Sequence, residues 1–401
     1  MSPRVHISGI GIISALGNDA PSNLDALVAE RTGIGPITRL NTRHRELYPA
    51  AEVKLEHEAL CALAAPASMR GWSRTALLGL KAVKEAVAHA GIDPALPRTG
   101  LLSASTAGGM DRAEPIYRRF FDDEVPDEVV QYVGTHDPGE HTARIAEELG
   151  ISGFITTIST ACSSSANAIM LGARMIRSGK LDVVIAGGSD ALSRFTVHGF
   201  HSLMILDRKP CTPFDAGRAG LNLGEAAAYV VLESEAHLNA RRGRSLACVT
   251  GYANTNDAFH VTASSPDGDG AYMAMSQALR SAGLEAGDIG YINVHGTGTN
   301  NNDGSEGRAL MRLFGDALPP FSSTKTFTGH TLGAAGAVEA VYATLAVQHG
   351  LCYANLRFQN AMPEAPLVPV QRTLRDQRLR HVLSNSFGFG GNNTSLIISA
   401  P

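Results

Sequence analysis

Cys162 stands in the segment Ser159-Thr160-Ala161-Cys162-Ser163-Ser164-Ser165-Ala166, a cysteine wrapped in small, mostly hydroxylated residues. The stretch behind it has helical spacing, with apolar side chains at 166, 169, 170, 173 and 176. A thiol at or near a helix N-terminus meets unsatisfied N–H groups and the positive end of the dipole. Such positions lower a thiol pKa from about 8.5 to roughly 3.5–7.5. The expectation is an activated sulfur nucleophile. A buried structural cysteine is the commoner fate of this residue type, so the partners decide.

Three further segments place one polar side chain among closely spaced glycines. Val294-His295-Gly296-Thr297-Gly298-Thr299 follows the apolar run from Ile289, presents His295 at a strand end, and precedes Asp303 and Glu306. Ser322-Ser323-Thr324-Lys325-Thr326-Phe327-Thr328-Gly329-His330 runs into a small-residue helix, with His330 expected at its start. Asn385-Ser386-Phe387-Gly388-Phe389-Gly390-Gly391-Asn392-Asn393 is a glycine loop whose backbone N–H groups can approach a ligand closely.

The elements that must carry these residues alternate. Strands and helices are expected at Val5 to Ser14 and Ala20 to Glu30, Gly71 to Ala90 and Thr99 to Ala104, and Ala161 to Ser178 and Leu181 to Gly187. Leu223 to Leu232 reads as a return strand. A second series begins near Leu246: strand Cys248 to Ala253, helix Gly270 to Ala282, strand Tyr291 to His295, helices Gly304 to Phe314 and His330 to His349, and paired strands Arg380 to Ser386 and Ser395 to Ser399. This alternation is the signature of an α/β protein. The halves rhyme, because a strand, a hydroxyl or glycine turn and a small-residue helix recur at Cys162 and at His330.

Composition sets bounds. An apolar share of 44% supplies a large core, and a net charge of −4 without a long basic run argues against a nucleic-acid partner. Five cysteines at 61, 162, 211, 248 and 352 form no close pair, which predicts neither a disulfide framework nor a zinc site and points to the reducing cytoplasm. Val5 to Leu16 is too polar for a secretory core and no run suits a membrane span. Arg241 to Arg244 is the densest basic cluster and reads as a solvated helix end.

Taken together, the cysteine motif, His-Gly-Thr-Gly-Thr, Lys325 with Gly329-His330, and the Phe-Gly-Phe-Gly-Gly loop resemble the β-ketoacyl synthase family of the thiolase superfamily, across the whole chain. The resemblance implies the thiolase fold, with two similar halves, residues 1–245 and 246–401, forming a layered αβαβα body. It implies an acyltransferase that condenses an acyl group held on Cys162 with malonyl carried on the phosphopantetheine of an acyl carrier protein, and no cofactor bound by the enzyme itself. It assigns the oxyanion hole to the N–H groups of Cys162 and Phe389, and enolate stabilisation to His295 and His330. It pairs Lys325 with Glu306, gives Thr297 and Thr299 the pantetheine arm with Phe387 beside them, and puts Ala107 in the acyl pocket.

Arg218-Ala219-Gly220-Leu221-Asn222-Leu223-Gly224-Glu225, together with Asn300-Asn301-Asn302-Asp303, looks like the synthases of aryl-polyene and related type II polyketide pathways. Family members dimerise, so the implied partner is a second copy or a homologous chain-length subunit lacking the cysteine. Arg208 and Lys209 are candidates for docking the carrier. The other readings are a fatty-acid elongation synthase, a non-catalytic chain-length or scaffold subunit, a thiolase and a cysteine hydrolase. The retained Cys162 opposes the scaffold. The loop at 387–393 lacks the second cysteine of a thiolase, and a hydrolase does not require the four motifs in this order.

Overall fold

The computed structural model describes residues 4–121 and 126–401. Among these residues the first five strands are β1 (Val5–Ser14), β2 (Thr99–Ala104), β3 (Ile155–Ile158), β4 (Val183–Asp190) and β5 (Ala226–Ser234). The next five are β6 (Ala247–Asn256), β7 (Tyr291–Asn293), β8 (Phe321–Ser322), β9 (His381–Gly388) and β10 (Asn392–Ser399).

Their spatial order is β3-β2-β4-β5-β1-β6-β10-β9-β7-β8. From each outer edge inward the order is therefore the same, β3-β2-β4-β5-β1 in one half and β8-β7-β9-β10-β6 in the other. The pairings match as well. β5 and β10 run antiparallel to both neighbours, whereas β2 and β7 pair in parallel on both sides. Among the described residues, the two five-strand halves join into one sheet where His6 and Ile7 of β1 face Cys248 and Ala247 of β6.

Both faces of the first half of the sheet are buried. Ala226, Ala228, Val230 and Leu232 of β5 face the central core, while Ala227, Tyr229 and Val231 face an outer one, the period-2 pattern of a strand covered on both sides. The outer helix Arg74–Ala90 packs on β1 and β5, and Asp269–Ala282 packs on β6 and β10. Between the sheet's two halves lie two central helices, Ser164–Arg177 and Ala335–His349. The second is buried at every position from Ala335 to Ala346, which is why its apolar residues form no one-sided stripe. The result is the duplicated, five-layered αβαβα arrangement of the thiolase fold.

The central helices meet near their N-termini. A Cβ on Gly336 would lie 2.7 Å from both the N and the Cβ of Ala166, so only glycine permits this crossing. Ser165 Oγ also accepts the Ala337 N–H at 2.9 Å. The loops preceding the two helices, one holding Cys162 and the other His330, are thereby brought to the same point.

Most element boundaries shift by a few residues from the expectation, and the start of one helix shifts most. The helix read as His330 to His349 begins at Ala335, after a short helix Lys325–Thr328 and a 3-10 turn Leu332–Ala334. Gly329, at φ +62°, ends the short helix and lets the chain turn toward β-bridge pairing of His330 with Leu223.

Candidate active site

Every chemistry-bearing loop leaves the C-terminal end of a strand. Ala107 follows β2 and Cys162 follows β3; His295 follows β7, Lys325 and His330 follow β8, and Phe389 follows β9. Ala161 adopts φ +53° immediately before Cys162, a strained backbone for a residue with a side chain. This turns the chain sharply and leaves the sulfur at the head of the helix starting at Ser164. The Cys162 sulfur and one ring nitrogen each from His295 and His330 lie within 4.8 Å of one another, and all three residues are buried. The two imidazoles stand edge to face at 5.5 Å between ring centres.

Hydrogen bonds fix both tautomers. Lys325 Nζ lies 3.2 Å from His295 Nδ1 and donates to the His295 carbonyl at 2.6 Å. An ammonium only donates, so His295 Nδ1 accepts and the ring proton sits on Nε2. His330 Nδ1 accepts the Leu332 N–H at 3.0 Å, which again leaves the proton on Nε2. Burial, with Lys325 and then His330 adding to it, holds His295 well below the usual histidine range; burial and Lys325 bring His330 down to about 3. Two neutral N–H donors therefore serve one small space. A dication there would be opposed by the neighbouring ammonium of Lys325.

The expected pairing of Lys325 with Glu306 does not occur. Lys325 forms its buried ion pair with Glu339 on the second central helix. Glu306 instead accepts the N–H groups of His295 and Gly296, each at 2.9 Å, and the Asn385 amide at 3.1 Å. The reason is positional: Glu306 lies beneath the glycine loop after β7, where unpaired backbone donors face it. Burial raises its carboxyl to about 7 against the pull of those donors. Glu339 was missed in the sequence; the available signal was a sole charged residue in an otherwise small and apolar helix, which needs a partner once buried but does not say which cation it meets.

Cys162 departs from expectation in its resting state. Burial pushes the Cys162 thiol up to about 11, although Lys325 and the N–H groups of Phe389 and Cys162 pull the other way. Enclosure outweighs these pulls, which favours the thiol form of the free sulfur. The Phe389 donor is brought in by Gly388, where a Cβ would stand 2.9 Å from the Thr160 carbonyl and 3.2 Å from the Cys162 nitrogen. This close backbone approach aims two N–H groups at the sulfur.

Two cavities converge on Cys162. One, of about 290 Å³, is lined by His295, Thr297, Thr299, His330 and Phe387 and opens past Asn300, Asn301 and Asn302. Thr297 and Thr299 hydrogen-bond each other at 2.9 Å. The other, of about 400 Å³, is largely apolar and is lined by Ala107, Phe195, Gly199, Leu203 and Leu332. Phe200 and Phe389 border both, and their rings stack at 6.0 Å.

Two carboxylates, one of them the Asp303 already noted after the His295 motif, brace these walls. Asp190 accepts the N–H groups of Thr106, Ala107 and Gly333 and the hydroxyls of Ser105 and Thr106, at 2.6–3.1 Å. It ties the Ala107 wall to the turn beside His330. Asp303 accepts from Phe214, Thr297 and Gly298 at 2.9–3.2 Å. A charged residue ending the apolar strand β4 was the available signal for the first.

A duplicated thiolase-type body with a cysteine, two imidazoles and paired N–H donors at its centre defines a condensing enzyme. Family models of the β-ketoacyl synthase N-terminal and C-terminal domains match residues 2–237 and 246–359. The chain belongs to the β-ketoacyl synthase family. It is similar to the 3-oxoacyl-(acyl-carrier-protein) synthase 2 of Staphylococcus aureus, 31% identical over 98% of this chain and 97% of that protein. Nodulation protein E of Rhizobium meliloti is 34% identical over 99% of each. A solved structure titled the ishigamide ketosynthase/chain length factor superposes over 100% of both chains with a TM-score of 0.93 at 31% identity. No helix among the described residues is long and apolar enough to cross a membrane.

Proposed function

We propose that this chain is the active ketosynthase of a type II polyketide system of the aryl-polyene kind, loading an acyl group on Cys162 and extending it with malonyl thioester. The observation that carries this reading is the convergence of the Cys162 sulfur with the ring nitrogens of His295 and His330 within 4.8 Å.

In the first half-reaction the sulfur attacks the carbonyl of an acyl thioester. The oxyanion is held by the N–H groups of Cys162 and Phe389, a donor of this kind being worth about 2.7–4 kcal/mol. The bond to the pantetheine sulfur breaks, and the proton lost by Cys162 leaves with that thiol. The raised resting pKa makes this proton transfer part of the step.

In the second half-reaction a malonyl thioester loses carbon dioxide, and the electron pair moves toward its thioester oxygen. The Nε2–H groups of His295 and His330 hold that enolate. Its carbon attacks the acyl carbonyl on Cys162, the carbon–sulfur bond breaks, and the freed sulfur takes a proton from solvent. Neutral imidazoles suit this work, since each keeps one donor and neither needs to gain or lose a proton. Lys325, held by Glu339, keeps His295 in the required tautomer.

The cavity bearing Thr297, Thr299 and Phe387 takes the pantetheine arm, and the apolar cavity beside Ala107 takes the acyl chain. Arg208 and Lys209, both exposed, serve the acidic carrier protein. Among the described residues β3 is an edge strand whose outer side is free, with Phe154 before it and Ile155 at its start exposed, which supports pairing with a second ketosynthase-type chain, a copy or a cysteine-less homologue. Five unpaired cysteines support a cytoplasmic setting.

Intact-mass measurement after incubation with acyl-loaded carrier protein tests the reading. A covalent acyl increment absent from Cys162→Ala is expected, with polyenoyl groups accepted over saturated chains. Preference for saturated chains would make it a fatty-acid elongation synthase, and no increment from any acyl carrier would make it a scaffold. Co-expression with a cysteine-less homologue distinguishes a heterodimer from a homodimer.

A further inference from the structure

We propose that Asn392 is a positioning residue that sets the distance between the two N–H donors of the oxyanion hole; this rests on the ketosynthase reading above. Its amide oxygen receives hydrogen bonds from two parts of the chain, the start of the Cys162 helix and β6. Asn167 Nδ2 donates at 2.9 Å and Asn254 Nδ2 at 2.7 Å, and the Ser163 hydroxyl, 2.6 Å away, shares its one proton between this oxygen and the Thr160 carbonyl at 2.7 Å. Ser163 adjoins Cys162, Asn167 lies in the first turn of the nucleophile's helix, and Asn254 is on β6. Asn392 itself opens β10 directly after the Phe389–Gly391 turn.

The hub is supported by further bonds. Asn167 Nδ2 also reaches Thr160 Oγ1 at 2.9 Å, and its oxygen accepts from Thr394 Oγ1 at 2.8 Å. Asn254 Nδ2 donates to Thr394 Oγ1 at 2.8 Å. The network joins the turn before Cys162 to the far end of the Phe389 loop.

Such a clasp is needed for a physical reason. Gly390 and Gly391 both have positive φ, +81° and +77°, and two consecutive glycines leave that loop free to take other conformations. Backbone bonds hold it too, Gly390 N–H to the Val261 carbonyl at 2.7 Å and Asp257 N–H to the Gly391 carbonyl at 2.9 Å. Those bonds anchor the loop to the 257–261 segment. Among the described hydrogen bonds, the side chain of Asn392 refers it to the nucleophile's own turn. An oxyanion must contact both N–H groups at once, so an error in their relative placement weakens acyl transfer steeply.

The test compares two reactions of the same sulfur. Acylation of Cys162 by acyl-loaded carrier protein passes through a tetrahedral oxyanion; alkylation by iodoacetamide does not. Asn392→Ala should slow acylation roughly 10- to 100-fold, with the alkylation rate and Tm within about twofold and 3 °C of wild type. Asn392→Asp, which keeps an acceptor for all three donors, should recover most of the acylation rate. Ser163→Ala, which removes one donor and leaves the loop sequence intact, should give a smaller loss of the same kind. Equal losses in acylation and alkylation, or wild-type acylation in Asn392→Ala, would overturn the proposal. Wild-type enzyme that never acylates would overturn the ketosynthase reading instead.

Discussion

The two halves of the molecule share one strand order and one pattern of parallel and antiparallel pairing, yet their corresponding loops do different chemistry. After β3 the chain reaches its central helix through residues 159–163, a tight turn that forces Ala161 to φ +53° and presents Cys162. After β8 it takes residues 323–334 to reach the corresponding helix, and the longer path carries both Lys325 and His330. In the proposed mechanism the first half supplies the nucleophile and the acyl wall, and the second supplies the histidines, the lysine and the Phe389 donor. Duplication gave two equivalent sets of loops, and the unequal connection after the third strand separated their tasks.

Removing the first half's contribution should have the largest effect. Cys162→Ala is expected to lose acyl-adduct formation entirely by intact mass, while malonyl decarboxylation, served by the second half, survives; loss of both would deny the division. His330→Ala is the reciprocal case. It should cut malonyl decarboxylation by roughly 10²–10³, read as carbon dioxide release, and leave Cys162 acylation within about fivefold.

The Lys325 pairing comes next. Glu339→Ala leaves a buried ammonium without its partner, and should destabilise the fold by about 3–5 kcal/mol by denaturant unfolding and abolish condensation. Glu306→Gln, which keeps an acceptor for the backbone donors, should cost about 1–2 kcal/mol. The reverse ranking would restore the pairing with Glu306.

A pH series sharpens the contrast in ionisation. With the thiol raised to about 11, alkylation of Cys162 should climb about tenfold per pH unit from pH 7 to 10, since the reactive thiolate fraction grows with pH below the pKa. With both histidines shifted down, malonyl decarboxylation should show no loss from imidazole protonation between pH 8 and 5.5. A plateau in alkylation near pH 8 would show a thiolate at rest. The smallest effect is expected from Ala107→Ile, a shortening of the accepted acyl chain by a few carbons measured by product profile, with little change in rate on short primers.

Much of this was legible in the sequence because glycine spacing and strand periodicity are local. Val5 to Ser14 and Thr99 to Ala104 read as strands with the bounds observed, and the four motifs gave Cys162, His295, His330 and the Phe389 loop. The partner of Lys325 was not legible, since Glu306 and Glu339 both follow histidine motifs at helical distances and only the packing of the central helices chooses between them. The thiol's ionisation was misread for a similar reason. A helix N-terminus can be seen in sequence, whereas the enclosure of the sulfur by loops from both halves cannot. Asp190 and the Asn392 cluster depend on contacts across sheets, beyond any periodic signal.

The seam between β1 and β6 engages two residue pairs, whereas each inner sheet face is covered by helices from both halves. A polypeptide ending near residue 245 would therefore expose the apolar inner face that the Ala335–His349 helix now covers. Such a fragment would also hold Cys162 without His295, Lys325, His330 or Phe389, so the site exists only where the two halves meet.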